Sequence, residues 1–242
     1  MSASRWVGCL LSLILLFTAG SVQAAPIVVD NLTELFTGGN ASGGAQLSAD
    51  NNNTDVSNTQ GPSANFIGLR TGSVTNTGPG IISSTDMAIS AGILAFSTGT
   101  LSTAGTGYLL YDTTPGVNLA AGGTIDFNFG TFNLGTDLNP LTLSVTLADT
   151  STSQQVFAPP ISSTGLVQIP LSSFNAVDKT NIQSIRIDFS TTGRGIDFSL
   201  NNQGGGIIIQ EIPEPASIAL WGVLGIAGAW YARRRFTTKA TA

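Results

Sequence analysis

Carboxylates are the main reactive side chains of this chain. Its 242 residues include no histidine, and the one cysteine, Cys9, lies close to the N-terminus. This composition excludes Ser-His-Asp and Cys-His catalysis, and it excludes zinc sites built on His or Cys. What remains is chemistry that carboxylates perform alone: glycoside hydrolysis by two acidic residues, or oxygen ligation of a hard cation.

A carboxylate pair for hydrolysis has few candidates. Between residues 25 and 212 the only glutamates are Glu34 and Glu211, which lie near opposite ends of that stretch. Asp126, Asp188 and Asp197 could converge only if their strands pair, and aspartates on the polar face of an exposed strand are usually solvated. The sequence therefore predicts no catalytic residues, and we expect no enzyme activity.

Calcium is the metal that this composition would favour, because hard cations take oxygen ligands. The stretch from Asp50 to Asp55 reads Asp-Asn-Asn-Asn-Thr-Asp, but it lacks the glycine and the distal glutamate of an EF-hand loop. An Asn/Asp-rich stretch of this kind more often forms a turn. We predict no metal site and no cofactor, with calcium as the one ion worth testing.

Aromatic side chains that could stack on sugar rings are few. All three tryptophans lie in the terminal segments, which leaves Tyr108 and Tyr111 in the middle of the chain. Side chains alternate between the two faces of a strand, so these two tyrosines should point to opposite sides. We interpret both chiefly as packing residues and keep carbohydrate binding as an alternative function.

The strands that would hold these groups are predicted by alternation of polar and apolar residues, which indicates one buried and one wet face. The alternating segments are residues 124–129, 141–147, 184–189 and 195–200, with turn residues at 191–193. Residues 38–80 are rich in Gly, Asn, Ser and Thr and predict long loops with a few edge strands. No segment before Ala216 shows helical periodicity, so the pattern predicts an all-β sandwich.

Residues 1–24 have the features of a secretory signal peptide. The basic Arg5 precedes an apolar stretch from Trp6 to Ala19, and the segment ends in Val22-Gln23-Ala24. We predict export and cleavage after Ala24; the alternative is a retained N-terminal membrane helix. Cleavage also removes Cys9, so the mature domain can form no disulfide.

The C-terminus carries three features in order: Pro213-Glu214-Pro215, an uncharged apolar run from Ala216 to Ala232, and Arg233-Arg234-Arg235. As a helix rising about 1.5 Å per residue, the run spans about 26 Å, slightly less than a bilayer core of about 30 Å. Arginines directly after such a run favour a cytoplasmic C-terminus with the bulk of the chain outside. We therefore predict a single transmembrane helix over residues 216–232.

This tail resembles the PEP-CTERM sorting signal of bacterial envelope and exopolysaccharide-associated proteins. The resemblance implies that a membrane protease-transpeptidase, called exosortase in that family, recognises Pro213, Glu214 and Pro215 and removes the tail, with Arg233, Arg234 and Arg235 as the membrane stop. It also implies anchoring in the inner membrane during sorting, followed by a place in the cell envelope or extracellular polysaccharide of a Gram-negative bacterium. Residues 236–242 extend further past the arginines than in many members. The alternative is an ordinary single-span anchor in which Pro-Glu-Pro is incidental.

A second resemblance covers residues 168–174, 181–187 and 195–200. These segments look like the last strands of galactose-binding-like jelly rolls, which include many carbohydrate-binding modules. The matching positions are mostly core and turn residues, and we interpret Leu171 and Phe174 as packing residues. The resemblance thus implies a jelly-roll-like β-sandwich and says little about a ligand.

The predicted organisation is a signal peptide (1–24), a β-sandwich ectodomain (25–210, loop-rich at 38–80) and a sorting and anchor segment (211–242). Residues 25–212 carry 13 acidic and 4 basic side chains, a net charge of −9, which argues against nucleic acid or anionic lipid as a partner. We predict a non-enzymatic, exported envelope or matrix protein. The alternative is a carbohydrate-binding module permanently anchored by its helix. A more distant one is surface or ice adsorption, which would need regular threonine ladders, whereas residues 141–147 offer only Thr142 and Thr146.

Overall fold

The computed structural model describes residues 25–33, 35–36, 46–50, 54–60, 69–76, 84–99, 104–120, 122–135, 138, 140–201 and 206–211, and six residues between 222 and 229. Pro26–Glu211 forms one compact unit. The predicted cleavage residue Ala24, the Pro213-Glu214-Pro215 motif and Arg233-Arg234-Arg235 lie outside the described residues, as does most of the predicted helix 216–232. Residues 222, 224–226, 228 and 229 are helical and exposed. Within the described part of the chain, no helix is long and apolar enough to cross a membrane.

The compact unit is all-β and holds fourteen strands among its described residues. In chain order they are β1 (Ile27–Asp30), β2 (Gln46–Asp50), β3 (Thr54–Gln60), β4 (Leu69–Asn76), β5 (Ser84–Ser90), β6 (Ile93–Thr98), β7 (Gly105–Val117), β8 (Gly123–Asn133), β9 (Thr142–Ala148), β10 (Ser153–Phe157), β11 (Gly165–Pro170), β12 (Ile182–Thr191), β13 (Asp197–Asn201) and β14 (Ile207–Glu211). The one described helix of this unit is a single 3₁₀ turn, Leu171–Ser173.

The strands form two antiparallel sheets. The six-stranded sheet has the order β10-β9-β12-β7-β4-β3, and the eight-stranded sheet contains the other strands. In the larger sheet, Ile125 of β8 pairs with both Ile169 of β11 and Ile209 of β14. A strand has only two edges, so β11 lies on one side of β8, with β14 on the other. Consecutive strands alternate between the two sheets from β6 through β9, and again from β10 through β13. Jelly-roll sandwiches have crossovers of this kind.

Inward-facing apolar side chains from both sheets build one core, which confirms the predicted β-sandwich. Alternate residues of the predicted segments are buried, for example Leu143, Val145 and Leu147 on β9. The four predicted strand segments overlap β8, β9, β12 and β13. Leu171 and Phe174 are fully buried, which confirms that they are packing residues.

The predicted loop-rich region is more regular than its composition indicates. β2 and β3 end their sheets, as edge strands should, but β4 is an interior strand between β3 and β7. Its inward positions are Arg70, Gly72, Val74 and Asn76, only one of which is a large apolar residue. The sequence of β4 therefore shows no alternation of polar and apolar residues, although one face of the strand is buried. Residues 191–193 end β12 and lead to the opposite sheet, so the predicted turn is a crossover between sheets.

A buried ion pair crosses the core between the two sheets. The register of β1 against β14 shifts between Val28 and Asp30, and this bulge leaves the Asp30 side chain fully buried. Arg70 Nη1 donates to Asp30 Oδ2 at 2.6 Å, and Tyr111 Oη donates to the same oxygen at 2.9 Å. The Leu32 amide donates to Asp30 Oδ1 at 2.7 Å. We refer to Asp30, Arg70 and Tyr111 as the buried triad.

A second acidic residue organises the turn between β9 and β10. Asp149 Oδ1 accepts hydrogen bonds from the amides of Ser151 and Thr152, both at 2.7 Å. Asp149 Oδ2 accepts from the Asp178 amide at 2.7 Å, which ties this hairpin to the loop before β12. These amide donors lower the pKa of Asp149 to about 2.

Because the folded pKa of Asp149 lies below its ordinary value of 3.8, its ionised form stabilises the fold. This contribution is present above about pH 4 and is lost as the pH falls through about 2. Asp149→Asn should therefore lower the urea midpoint at pH 5, with a deficit that shrinks toward pH 2. Asp197→Asn is the control, because burial raises the pKa of Asp197. Its effect on the urea midpoint should therefore have the opposite sign to that of Asp149→Asn. A deficit for Asp149→Asn that does not vary with pH would contradict this account.

Candidate functional site

The three aspartates considered for hydrolysis do not converge. Asp188 lies on β12 of the six-stranded sheet, whereas Asp126 and Asp197 lie in the eight-stranded sheet. Asp197 pairs with Asn133, seven residues along β8 from Asp126, a separation of about 23 Å at the usual rise per strand residue. Asp126 is engaged locally, since Gln168 Nε2 donates to its two oxygens at 3.1 and 3.2 Å.

The segment considered for calcium is described only at its ends. Residues 51–53 lie outside the described residues, and Asp55 is a buried residue of β3. Asp55 Oδ2 accepts a hydrogen bond from the Ser48 amide at 3.0 Å. Among the residues that the structure describes, no three His, Cys, Asp or Glu side chains lie close enough to hold a metal ion.

Tyr108 and Tyr111 point to opposite faces of β7, as predicted. Tyr111 is fully buried in the triad, where burial raises its pKa well above the usual value, with the charge of Asp30 adding to the effect. Tyr108 is half-buried on the outer face of the six-stranded sheet. Only Tyr108 is therefore available to a ligand.

Strand registers place the outward side chains of the six-stranded sheet in rows that run across the strands. One row, here called the central row, contains Val56, Ser73, Tyr108, Asp188, Ser144 and Phe157. Beside it lies the hydroxyl row, formed by Thr54, Thr75, Thr106, Ser190 and Thr142. On the other side of the central row lie Thr71, Leu110, Arg186, Thr146 and Gln155. The outer face is thus polar, with one aromatic residue near its centre and another at its end.

The centre of this face is an Arg–Asp–Tyr group that we call the Tyr108 cluster. Arg186 Nη2 donates to Asp188 Oδ1 at 2.7 Å, and Arg186 Nε lies 2.9 and 3.0 Å from the two Asp188 oxygens. The Arg186 guanidinium carbon lies 3.9 Å from the centroid of the Tyr108 ring, a cation–π contact. The hydrogen bond to Asp188 raises the pKa of Arg186. Arg186 and Asp188 keep 41% and 25% of their side chains exposed, so the cluster is ordered and still open to solvent.

The cluster is explained by side-chain alternation along β12 together with the register between β12 and β7. Arg186 and Asp188 are two residues apart, so they share a face of β12 and can pair along the strand. Asp188 lies directly opposite Tyr108 of β7, whereas Arg186 lies opposite Leu110 and reaches Tyr108 diagonally. Sequence reasoning missed Arg186 because its partner Tyr108 is distant in the chain. It also missed Phe157, which belongs to a short edge strand with weak alternation.

The hydroxyl row is relevant to the alternative function of surface or ice adsorption, which would need regular threonine ladders. Threonines that are scattered along the chain come together across the strands, and Thr54 Oγ1 lies 2.9 Å from Thr75 Oγ1. The row is single, however, since the next row contains Tyr108 and Asp188 in place of threonine. The described strands hold no second, parallel threonine row that would extend it into a regular two-dimensional ladder.

No protein-family model matches the chain, and the search of curated proteins gives no match. Solved structures with a similar course of the chain include several carbohydrate-binding modules, all with low sequence identity. One is a family 11 module from Clostridium thermocellum in complex with a β-1,3-1,4-mixed-linked tetrasaccharide, with 14% identity, 75% of this chain and 97% of that chain covered, and a TM-score of 0.34. Another is TmCBM61 in complex with β-1,4-galactotriose, with 12% identity, coverage of 65% and 88%, and a TM-score of 0.30. A third is the CBM22-1–GH10 module pair of a Clostridium thermocellum xylanase complexed with xylohexaose, with 10% identity, coverage of 77% and 28%, and a TM-score of 0.36. At these TM-scores none of the likenesses bears on the function of this chain.

Proposed function

We propose that this chain is an exported, non-catalytic protein that binds polysaccharide through the outer face of its six-stranded sheet. The observation that carries the proposal is the Tyr108 cluster, in which an aromatic ring, a guanidinium and a carboxylate are held together on an open polar face. The export part of the proposal rests on the sequence of residues 1–24.

The cluster suits a sugar because a sugar ring has two kinds of surface. Its C–H face is apolar and packs against aromatic rings, while its hydroxyls need donors and acceptors at its rim. Tyr108 supplies the aromatic surface that the stacked Arg186 guanidinium leaves uncovered, and Asp188 supplies acceptors. The Arg186 Nη1 hydrogens have no hydrogen-bond partner among the described residues. Because Arg186 and Asp188 are fixed by their mutual pairing, little side-chain entropy is lost on binding.

Binding of the full-length chain to an array of neutral and acidic glycans tests this proposal. Tyr108→Ala should weaken binding to the positive glycans by about tenfold or more, equivalent to about 1.4 kcal/mol. Asp188→Asn should weaken it as well, because it breaks the pairing that positions Arg186. The matched control is Asp197→Asn, which changes a partly exposed aspartate on the other sheet. Binding that survives Tyr108→Ala unchanged would overturn the assignment of this face.

We also propose that the C-terminal segment sorts the protein. The support is sequence order: Pro213-Glu214-Pro215, the apolar run 216–232 and Arg233-Arg234-Arg235 resemble a PEP-CTERM signal, read by an exosortase-type membrane protease. The protein would then be anchored in the inner membrane during sorting and afterwards associate with the envelope or extracellular polysaccharide. A polysaccharide-binding ectodomain would suit that destination.

The mass of the intact protein and of its C-terminal peptide, from the native host, tests the sorting proposal. We expect a C-terminus within a few residues of Pro213. A chain that is intact through Ala242 would show a permanently anchored module and would overturn the proposed removal of the tail, without affecting the proposal for the sheet face.

A further inference from the structure

We infer that the ligand is a neutral glycan chain that lies across the strands of the six-stranded sheet, from Tyr108 to a second contact at Phe157. This inference rests on the proposed polysaccharide binding and adds the direction, length and charge of the bound polymer. The observation behind it is that Phe157 belongs to the same central row as Tyr108.

Phe157 is the last residue of β10, which is the edge strand of the sheet. Its side chain is 62% exposed. The preceding residue, Val156, points to the opposite face of the strand and packs against the core. A phenylalanine this exposed at the end of a polar row offers an apolar surface that the C–H face of a sugar ring can cover.

The geometry of the row sets the length of the ligand. β7, β12, β9 and β10 are consecutive in the sheet, so three strand spacings separate Tyr108 from Phe157, or about 14 Å. A disaccharide is too short to contact both rings, whereas a longer oligosaccharide can do so. The polymer would therefore run perpendicular to the strands.

The surface between the two rings offers hydrogen bonds to hydroxyl groups. Asp188 lies in the row itself and is partly exposed. Ser144 of the same row is buried, and its Oγ accepts from Nε2 of the exposed Gln155 at 2.8 Å, so Gln155 is the group that faces a ligand there. Ser190 and Thr142 flank the row on one side and Thr146 flanks it on the other. A sequence of small hydroxylated and amide side chains between two aromatic rings matches the alternation of apolar faces and hydroxyl edges along a glycan.

The charge of this surface indicates a neutral polymer. Arg186 is the one basic residue in the described rows of this face, and its charge is already paired with Asp188. Residues 25–212 carry 13 acidic and 4 basic side chains. An anionic polysaccharide would therefore approach a negatively charged domain, and the described rows of this face hold no second basic side chain to meet it. A neutral polysaccharide meets no such repulsion.

Calorimetric titration of the full-length chain in detergent tests the inference. The neutral probes are cellulose-, laminarin-, xylan-, mannan- and galactan-derived oligosaccharides from disaccharide to hexasaccharide, and the acidic probes are oligogalacturonates and alginate oligomers. For at least one neutral series, affinity should rise with chain length until both rings are bridged. Phe157→Ala should remove that gain, about tenfold, and leave disaccharide affinity unchanged, whereas Tyr108→Ala should weaken every length. Leu166→Ala is the matched control, because Leu166 is an exposed apolar residue on the outer face of the other sheet.

The outcomes separate this inference from the proposed function. A length dependence that persists in Phe157→Ala, or tighter binding of the acidic probes, would overturn the inference and leave the binding face in place. Failure of all neutral and acidic probes to bind would overturn the proposed function, and the inference with it.

Discussion

Arg70→Met should lower the free energy of unfolding at neutral pH by about 3–5 kcal/mol, because it leaves the Asp30 carboxylate buried without its counter-charge. Both side chains of this ion pair are fully buried. Against a total stability of about 5–15 kcal/mol for a domain, such a loss would bring the fold close to its limit. Equilibrium unfolding in urea, followed by far-ultraviolet circular dichroism, measures the change.

The pH dependence of this loss identifies its cause. Burial raises the pKa of Asp30 more than Arg70 lowers it, so the folded state holds a proton at pH values where the unfolded chain, with a pKa near 3.8, has released it. Stability from this group therefore falls as the pH rises from 3.8 through the folded pKa. Without Arg70 the folded pKa rises further. The deficit of Arg70→Met should thus be small near pH 4 and grow toward pH 7.

Two controls distinguish lost charge pairing from lost packing. Arg186→Met removes an arginine from an exposed pair and should cost about 1 kcal/mol or less. Replacing the whole buried triad, Asp30→Leu with Arg70→Met and Tyr111→Phe, should restore much of the stability, because no buried charge is left unpaired. The Leu32 amide still loses its acceptor, which is a smaller cost than an unpaired buried charge. A large deficit for Arg70→Met that does not depend on pH would show that packing, and not charge, explains the loss.

A mature chain that ends at Glu211 should be as stable as the chain that runs through Ala242, whereas a chain that ends at Gly206 should not fold. β14 lies between β8 and β1, and Ile207 and Ile209 are fully buried in the core. Loss of two buried isoleucines and two strand pairings costs about 5 kcal/mol or more, comparable to the stability of a domain. Thermal unfolding of the two truncated chains checks this prediction.

The position of β14 also limits where the proposed sorting protease can cut. The last paired residue of β14 is Glu211, opposite Gly123 of β8, and Pro213 follows two positions later. A protease that removes the tail must therefore cut beyond Glu211 if the sandwich is to remain folded. A chain ending at Gly206 with cooperative thermal unfolding would contradict the structural role given to β14 and would remove this limit on the cleavage position.

Local patterns in the amino-acid sequence are sufficient to predict the fold class and most of the strand positions in the second half of the domain. Segments such as residues 141–147 and 184–189 alternate strictly, because one face packs in the core and the other is wet. The lack of histidine throughout the chain likewise restricts the chemistry that any site in it could perform. The opposite orientations of Tyr108 and Tyr111 follow from their spacing alone.

The candidate site and the buried triad, in contrast, depend on contacts between residues that are distant in the chain. Asp30, Arg70 and Tyr111 come from three separate strands, and a bulge in β1 turns the aspartate inward against the simple alternation. Likewise, Tyr108, Asp188 and Phe157 share one row through the register of four strands. Side-chain alternation depends on each strand alone and can be read locally, whereas register depends on how the whole core packs, so the cross-strand rows emerge only in the folded sheet.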